Sequence, residues 1–168
     1  MPAWGGHQIE DNKFQISAVF VEIETDNGVV GRAGPTTEAV AYIIASQLQP
    51  ILLGKDPLAT ELLWDQMHRE LVHGRQGEAM WAVSIVDCAL WDLKGRVFDV
   101  PVYKLIGGPT RDQVPLYASM LGYSVEDPGL VKERACEAQG EGYQAQKWFF
   151  RYGPMSGPEG LRRNVDLV

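Results

Sequence analysis

One cation, Lys147, stands near the C-terminal end of a strand-like run late in the chain, Tyr143-Gln144-Ala145-Gln146-Lys147-Trp148-Phe149-Phe150. A charge at the end of an apolar strand is poorly screened and attracts a carboxylate. Lys147 is therefore the first candidate for chemistry. The competing reading is an ordinary strand-end lysine that reaches solvent. Arg151 and Tyr152 follow directly and are placed to line the same mouth. At the other end, His7 and Trp4 sit in Trp4-Gly5-Gly6-His7. An aromatic and an imidazole among glycines suit a mobile lid over a substrate, and equally a loose N-terminal tail. His68 and His73 fall near a helix end, where a cation is favoured without any ligand role.

The elements that must position these groups follow from period and punctuation. Residues 1–13 are Gly-rich and polar and read as a loop. From Phe14 to Thr25 the chain is β-branched and aromatic and reads as a strand, with Val19, Val21 and Ile23 on one face. Asp26-Asn27-Gly28 is a hairpin signal of the type I′ kind, and Val29–Ala33 is the returning strand, broken by Gly34-Pro35. Thr36 or Thr37 caps a helix that runs to Leu48, where Pro50 ends it. Asp56 and Pro57 open a second helix, with Leu58, Leu62, Leu63 and Met67 as its apolar stripe. Ala79, Val83, Val86, Leu90, Leu93 and Val97 recur at spacings of four and three, which predicts a long helix from Gly77 to Val97. After Pro109 the pattern becomes strand (114–118), helix (127–139), strand (143–150) and a helix from Pro158, the repeat of a parallel sheet or barrel.

Composition narrows the function classes. The 168 residues carry a net charge of −7, which argues against a nucleic-acid partner. No run of 18 apolar residues is present, which argues against a membrane span. The N-terminus lacks the basic and apolar regions of a signal peptide, and Cys88 and Cys136 read as reduced, buried thiols, so a cytoplasmic protein is expected. No Cys-x-x-Cys or Cys/His spacing marks a metal site. The chain finishes on Asp166-Leu167-Val168 without a helix stop, and two βα units leave sheet edges open, so a truncated chain is expected.

The stretch Asp87-Cys88-Ala89-Leu90-Trp91-Asp92-Leu93-Lys94-Gly95, with Pro101-Val102-Tyr103-Lys104-Leu105-Ile106-Gly107-Gly108 behind it, resembles the mandelate racemase/muconate lactonizing enzyme group of the enolase superfamily. Within it, Lys147 to Pro154, with Gly157, Gly160 and Asn164, is similar to the acid-sugar dehydratases. The resemblance implies an α+β capping domain over residues 1–108, an antiparallel hairpin or meander followed by a helical bundle. Residues 109–168 would then be the first two βα units of a (β/α) barrel, truncated. It implies a Mg²⁺ enzyme that abstracts the proton α to a carboxylate and expels water from a sugar acid, and a homo-oligomer when full length. The metal carboxylates lie on later barrel strands, so no metal ligand is expected in this chain, and the chain alone is expected to be inactive. Lys147 matches the first lysine of the family's Lys-x-Lys motif, as carboxylate ligand or auxiliary acid; Phe149 stands where the second lysine would be. Two capping loops imply substrate contacts at Trp4 and His7 and at Arg32 and Thr36, a structural turn being the alternative for the latter pair. Asp87, Trp91 and Asp92 are read as structural. Two alternatives stay open: a racemase, epimerase or cycloisomerase of the same superfamily, and a noncatalytic interaction module or inactive gene fragment.

Overall fold

The computed structural model describes residues 7–10, 13–15, 18–121 and 123–167; for 7–10 and 13–15 the description is of the backbone. The described chain forms two compact units, one up to Thr110 and one from Arg111.

The first unit opens with two short strands, β1 (His7–Glu10) and β2 (Lys13–Gln15), paired antiparallel. The expected loop over 1–13 is thus corrected: His7-Gln8-Ile9-Glu10 is a strand too short to show an alternation. The expected long strand from Phe14 is divided, and its main part is β3 (Val19–Glu24). Val19, Val21 and Ile23 are half-buried while Phe20, Glu22 and Glu24 face out. β4 (Val30–Thr36) returns antiparallel, with Glu22 opposite Arg32 and Ile23 opposite Gly31. The Gly28 amide donates to the Thr25 carbonyl at 2.9 Å, and positive φ is confined to Gly28 at 84°. A type I′ turn needs positive φ at two residues, so the expected turn type is corrected. Gly34-Pro35 does not break β4; the register shifts between Val19 and Val21, and the strand continues to Thr36.

Thr37 Oγ1 accepts from the Val40 amide at 3.3 Å and starts α1 (Glu38–Ile43). A π-helical turn, Ile44–Leu48, links it to α2 (Gln49–Leu52). The expected stop at Pro50 is corrected: the wider turn absorbs a proline that has no N–H to give, and Pro50 sits in the first turn of α2. Asp56 Oδ1 accepts from the Leu58 amide at 2.9 Å and makes a turn rather than a cap, so α3 (Thr60–Glu70) begins later than expected. Leu63 and Met67 are buried on it, but Leu62 is exposed.

The long helix α4 (Gly77–Phe98) is the spine of the unit. Val83, Val86 and Leu90 join Val40, Leu48, Leu63 and Met67 in one core. Val97 falls outside it, and Cys88 and Cys136 are exposed rather than buried. For Cys88 the reason is its place beside, not within, the stripe of Val86, Ala89 and Leu90. Gly31 of β4 lies directly on α4, where a Cβ would stand 2.2 Å from the Ala89 carbonyl oxygen. Asp99, with φ of 52°, ends α4, and a short turn, α5 (Val102–Leu105), follows.

In the second unit β5 (Ala118–Ser119) pairs parallel with β6 (Gln146–Lys147). They are joined by α6 (Pro128–Gly140), capped by Asp127 Oδ1 on the Gly129 amide at 2.8 Å. Both strands are shorter than expected. Among the described residues each has one neighbour, and the ladder is confined to Ala118–Ser119 and Gln146–Lys147. α7 (Gly157–Val165) comes after β6. No described helix is long and apolar enough to cross a membrane.

Candidate functional site

The parallel register puts Ser119 opposite Lys147, and side chains alternate across the pair. Gln146 and Trp148 are half-buried, and Gln146 Nε2 donates to the Ala135 carbonyl of α6 at 2.7 Å. Tyr117, Ser119, Lys147 and Phe149 are exposed and share the other face. The expected apolar surround of Lys147 is corrected in one respect: aromatic neighbours are present, but the face is open to solvent. Lys147 Nζ donates to Tyr117 Oη at 3.0 Å and lies 5.0 Å from the Tyr117 ring centroid and 5.1 Å from that of Phe149. Tyr117 was not legible as a site residue, because the strand register that sets Ser119 opposite Lys147 is not written in the sequence.

Arg151 is paired with Glu126 at 3.3 Å, both exposed. Tyr152 is tied to α7: its hydroxyl accepts from Arg163 at 3.0 Å, and its carbonyl accepts from Asn164 Nδ2 at 2.8 Å.

In the first unit the Arg32 guanidinium binds Glu22 at 2.6 Å, and its amide donates to Asp92 Oδ2 at 2.8 Å. Thr36 closes the strand opposite Val19. His7 pairs with Gln15 through β1 and β2, with its side chain outside the described residues, as is Trp4. The structure therefore brings Arg32 to Asp92, and Lys147 to Tyr117 and Phe149. Lys94 donates to the Leu58 carbonyl at 3.2 Å and to Thr60 Oγ1 at 3.3 Å, with its ammonium over the Trp91 ring.

Arg96, bonded at 2.8 Å, holds the Asp92 carboxyl below the usual carboxylate range, burial opposes this, and the Arg32 amide adds to the lowering. A carboxyl lowered by folding contributes stability above its unfolded value of about 3.9, lost as pH falls through the lower folded value. Asp92→Asn is expected to cost about 0.5–1.5 kcal/mol at pH 7. Urea midpoints of the two chains should converge as the pH is taken down through that range; a constant gap would mean the charge is not what Asp92 contributes. Asp87 is shifted the other way, first by burial and then by Glu61.

No group of three His, Cys, Asp or Glu side chains among the described residues could hold a metal ion.

Residues 11–107 match the family model of the mandelate racemase/muconate lactonizing enzyme N-terminal domain. The chain is 36% identical to the L-rhamnonate dehydratase of Saccharopolyspora erythraea over 156 residues, which is 91% of this chain and 37% of that protein. Rhamnonate dehydratase from Gibberella zeae complexed with Mg superposes with a TM-score of 0.73 at 35% identity, over 88% of this chain and 34% of that one. A racemase from Streptomyces coelicolor A3(2) with bound magnesium superposes at 0.71 with 30% identity, over 88% and 43%. The chain thus spans little more than a third of the length of the dehydratases it matches.

Proposed function

Since the chain belongs to the mandelate racemase/muconate lactonizing enzyme family of the enolase superfamily through its N-terminal capping domain, we propose that it is the first part of an acid-sugar dehydratase. In this reading residues 1–108 are the capping domain and 109–168 begin the (β/α) barrel. The observation that carries it is the pairing of two features. The likeness to L-rhamnonate dehydratases runs through both units, and the second unit ends a parallel strand on Lys147. Barrel enzymes place their chemistry at that end of their strands.

The reaction removes the proton α to a carboxylate and expels the β-hydroxyl as water. The enol left behind rearranges to a 2-keto-3-deoxy acid. Lys147 supplies a fixed positive charge for the substrate carboxylate, whose charge rises as the α-proton leaves. Trp4, His7, Arg32 and Thr36 of the capping domain, and Arg151 and Tyr152 after β6, are proposed as substrate contacts. Among the described residues no group of three carboxylate, histidine or cysteine side chains fits the Mg of the relatives; in this reading the cation is held on barrel strands later than β6. Phe149, in place of a second lysine beyond Lys147, disfavours a racemase that works with paired lysines.

The test is a comparison of two proteins, this chain and one extended through the remaining barrel, each given L-rhamnonate and MgCl₂. The extended protein is expected to form 2-keto-3-deoxy acid and to stop with chelator, while the 168-residue chain forms none. Substrate epimerised at C2 without loss of water would replace dehydration by the racemase or epimerase reading. Chelator-sensitive turnover by the short chain would refute its expected inactivity.

A further inference from the structure

The ammonium of Lys147 is held from two sides: the Tyr117 hydroxyl at 3.0 Å, which leaves it beyond the edge of that ring, and the Phe149 ring, whose centroid is 5.1 Å away. The Phe149 ring attracts the cation through its quadrupole. The hydroxyl occupies one of the three ammonium protons. A lysine side chain otherwise ranges over many rotamers, and these contacts remove much of that freedom before any ligand arrives.

The hydrogen-bond inventory leads further. The Tyr117 oxygen accepts from Lys147, so its own proton is left to donate. Lys147 retains two N–H groups. Two donors on heavy atoms 3.0 Å apart therefore share one exposed sheet face. That spacing suits the two oxygens of a carboxylate, with one charge-assisted bond from the ammonium and one from the phenol. We propose that Tyr117 is a second carboxylate-binding residue, which forms a two-point head with Lys147, and that Phe149 is the positioning residue that keeps the ammonium aimed. This rests on the reading of Lys147 as a carboxylate ligand, and it adds the residue that fixes the orientation of the bound group.

The experiment uses the 168-residue chain labelled with ¹³C at lysine side chains. L-Rhamnonate is titrated in at constant ionic strength, with neutral L-rhamnose as the comparison. The Lys147 Cε–Hε signal is expected upfield of the solvated lysines because the Phe149 ring flanks it. It should move saturably with L-rhamnonate and stay still with L-rhamnose. Tyr117→Phe keeps the ring and removes the hydroxyl, so the upfield position persists while affinity falls about three- to tenfold, the low end for a charge-assisted bond because both groups are exposed. Phe149→Leu should move the free signal downfield and weaken binding, and Phe149→Tyr should restore both. Equal affinity in the parent and Tyr117→Phe chains overturns the role of Tyr117 while leaving Lys147 as a ligand. An unmoved Lys147 signal in the parent chain overturns the underlying reading and the two-point head together.

Discussion

Gly31→Ala is expected to destabilise the first unit by about 3–4 kcal/mol, a large part of the 5–15 kcal/mol that holds a domain folded. The added Cβ would lie 2.2 Å from the Ala89 carbonyl oxygen, 2.5 Å from Leu93 Cβ and 2.7 Å from the Leu93 amide nitrogen. Two of those three atoms are backbone of α4, which cannot rotate away. β4 would have to lift off the helix, and Ile23, opposite Gly31 in the ladder, would move with it. Gly28→Ala is the control. Its φ is 84° with nothing within 4 Å of a new Cβ, so only the left-handed backbone is penalised, at about 1–2 kcal/mol. Urea unfolding of the three chains separates them. A Gly31→Ala midpoint at or above that of Gly28→Ala would mean that β4 does not lie on α4 as described.

Why this fold was partly legible, and where it was not, follows from how each signal is built. α4 was readable to within one residue because 22 residues of helical period leave little ambiguity. The hairpin was readable because Asn27-Gly28 sits between two alternating runs. Its turn type was not, since the phrase Asp-Asn-Gly supports a turn with one left-handed residue as well as one with two. The α3 start was misplaced because Asp56-Pro57 satisfies the rule for a cap while Asp56 instead closes a local turn on Leu58. The site divides along the same line. Lys147 stood out as the lone cation of a strand-like run. Tyr117 lies thirty residues away, and only parallel register, fixed by the crossover through α6, brings its face beside Lys147. Arg32 was read as a substrate contact; the structure engages its side chain with Glu22 and its amide with Asp92, so any such contact competes with Glu22 for the guanidinium.

In an extended protein with the proposed sugar-acid dehydratase activity, Lys147→Met is expected to lower kcat by about 10²–10³, or about 3–4 kcal/mol of transition-state stabilisation. Methionine keeps an apolar stem of similar length, and removes the ammonium with its bond to Tyr117. The ground-state carboxylate already attracts Lys147, and loss of that attraction raises KM. The larger effect falls on kcat, because proton loss moves a second charge toward the same oxygens and the interaction strengthens as the barrier is climbed. Folding should be nearly untouched. Lys147 Nζ touches only Tyr117 and Phe149 among the described contacts, all on an exposed face, so a melt within about 0.5 kcal/mol of the parent is expected. Steady-state kinetics and a thermal melt on the same preparation decide between roles. A raised KM at constant kcat would make Lys147 a binding residue that does not favour the transition state. Near-normal kinetics in both parameters would remove it from the site.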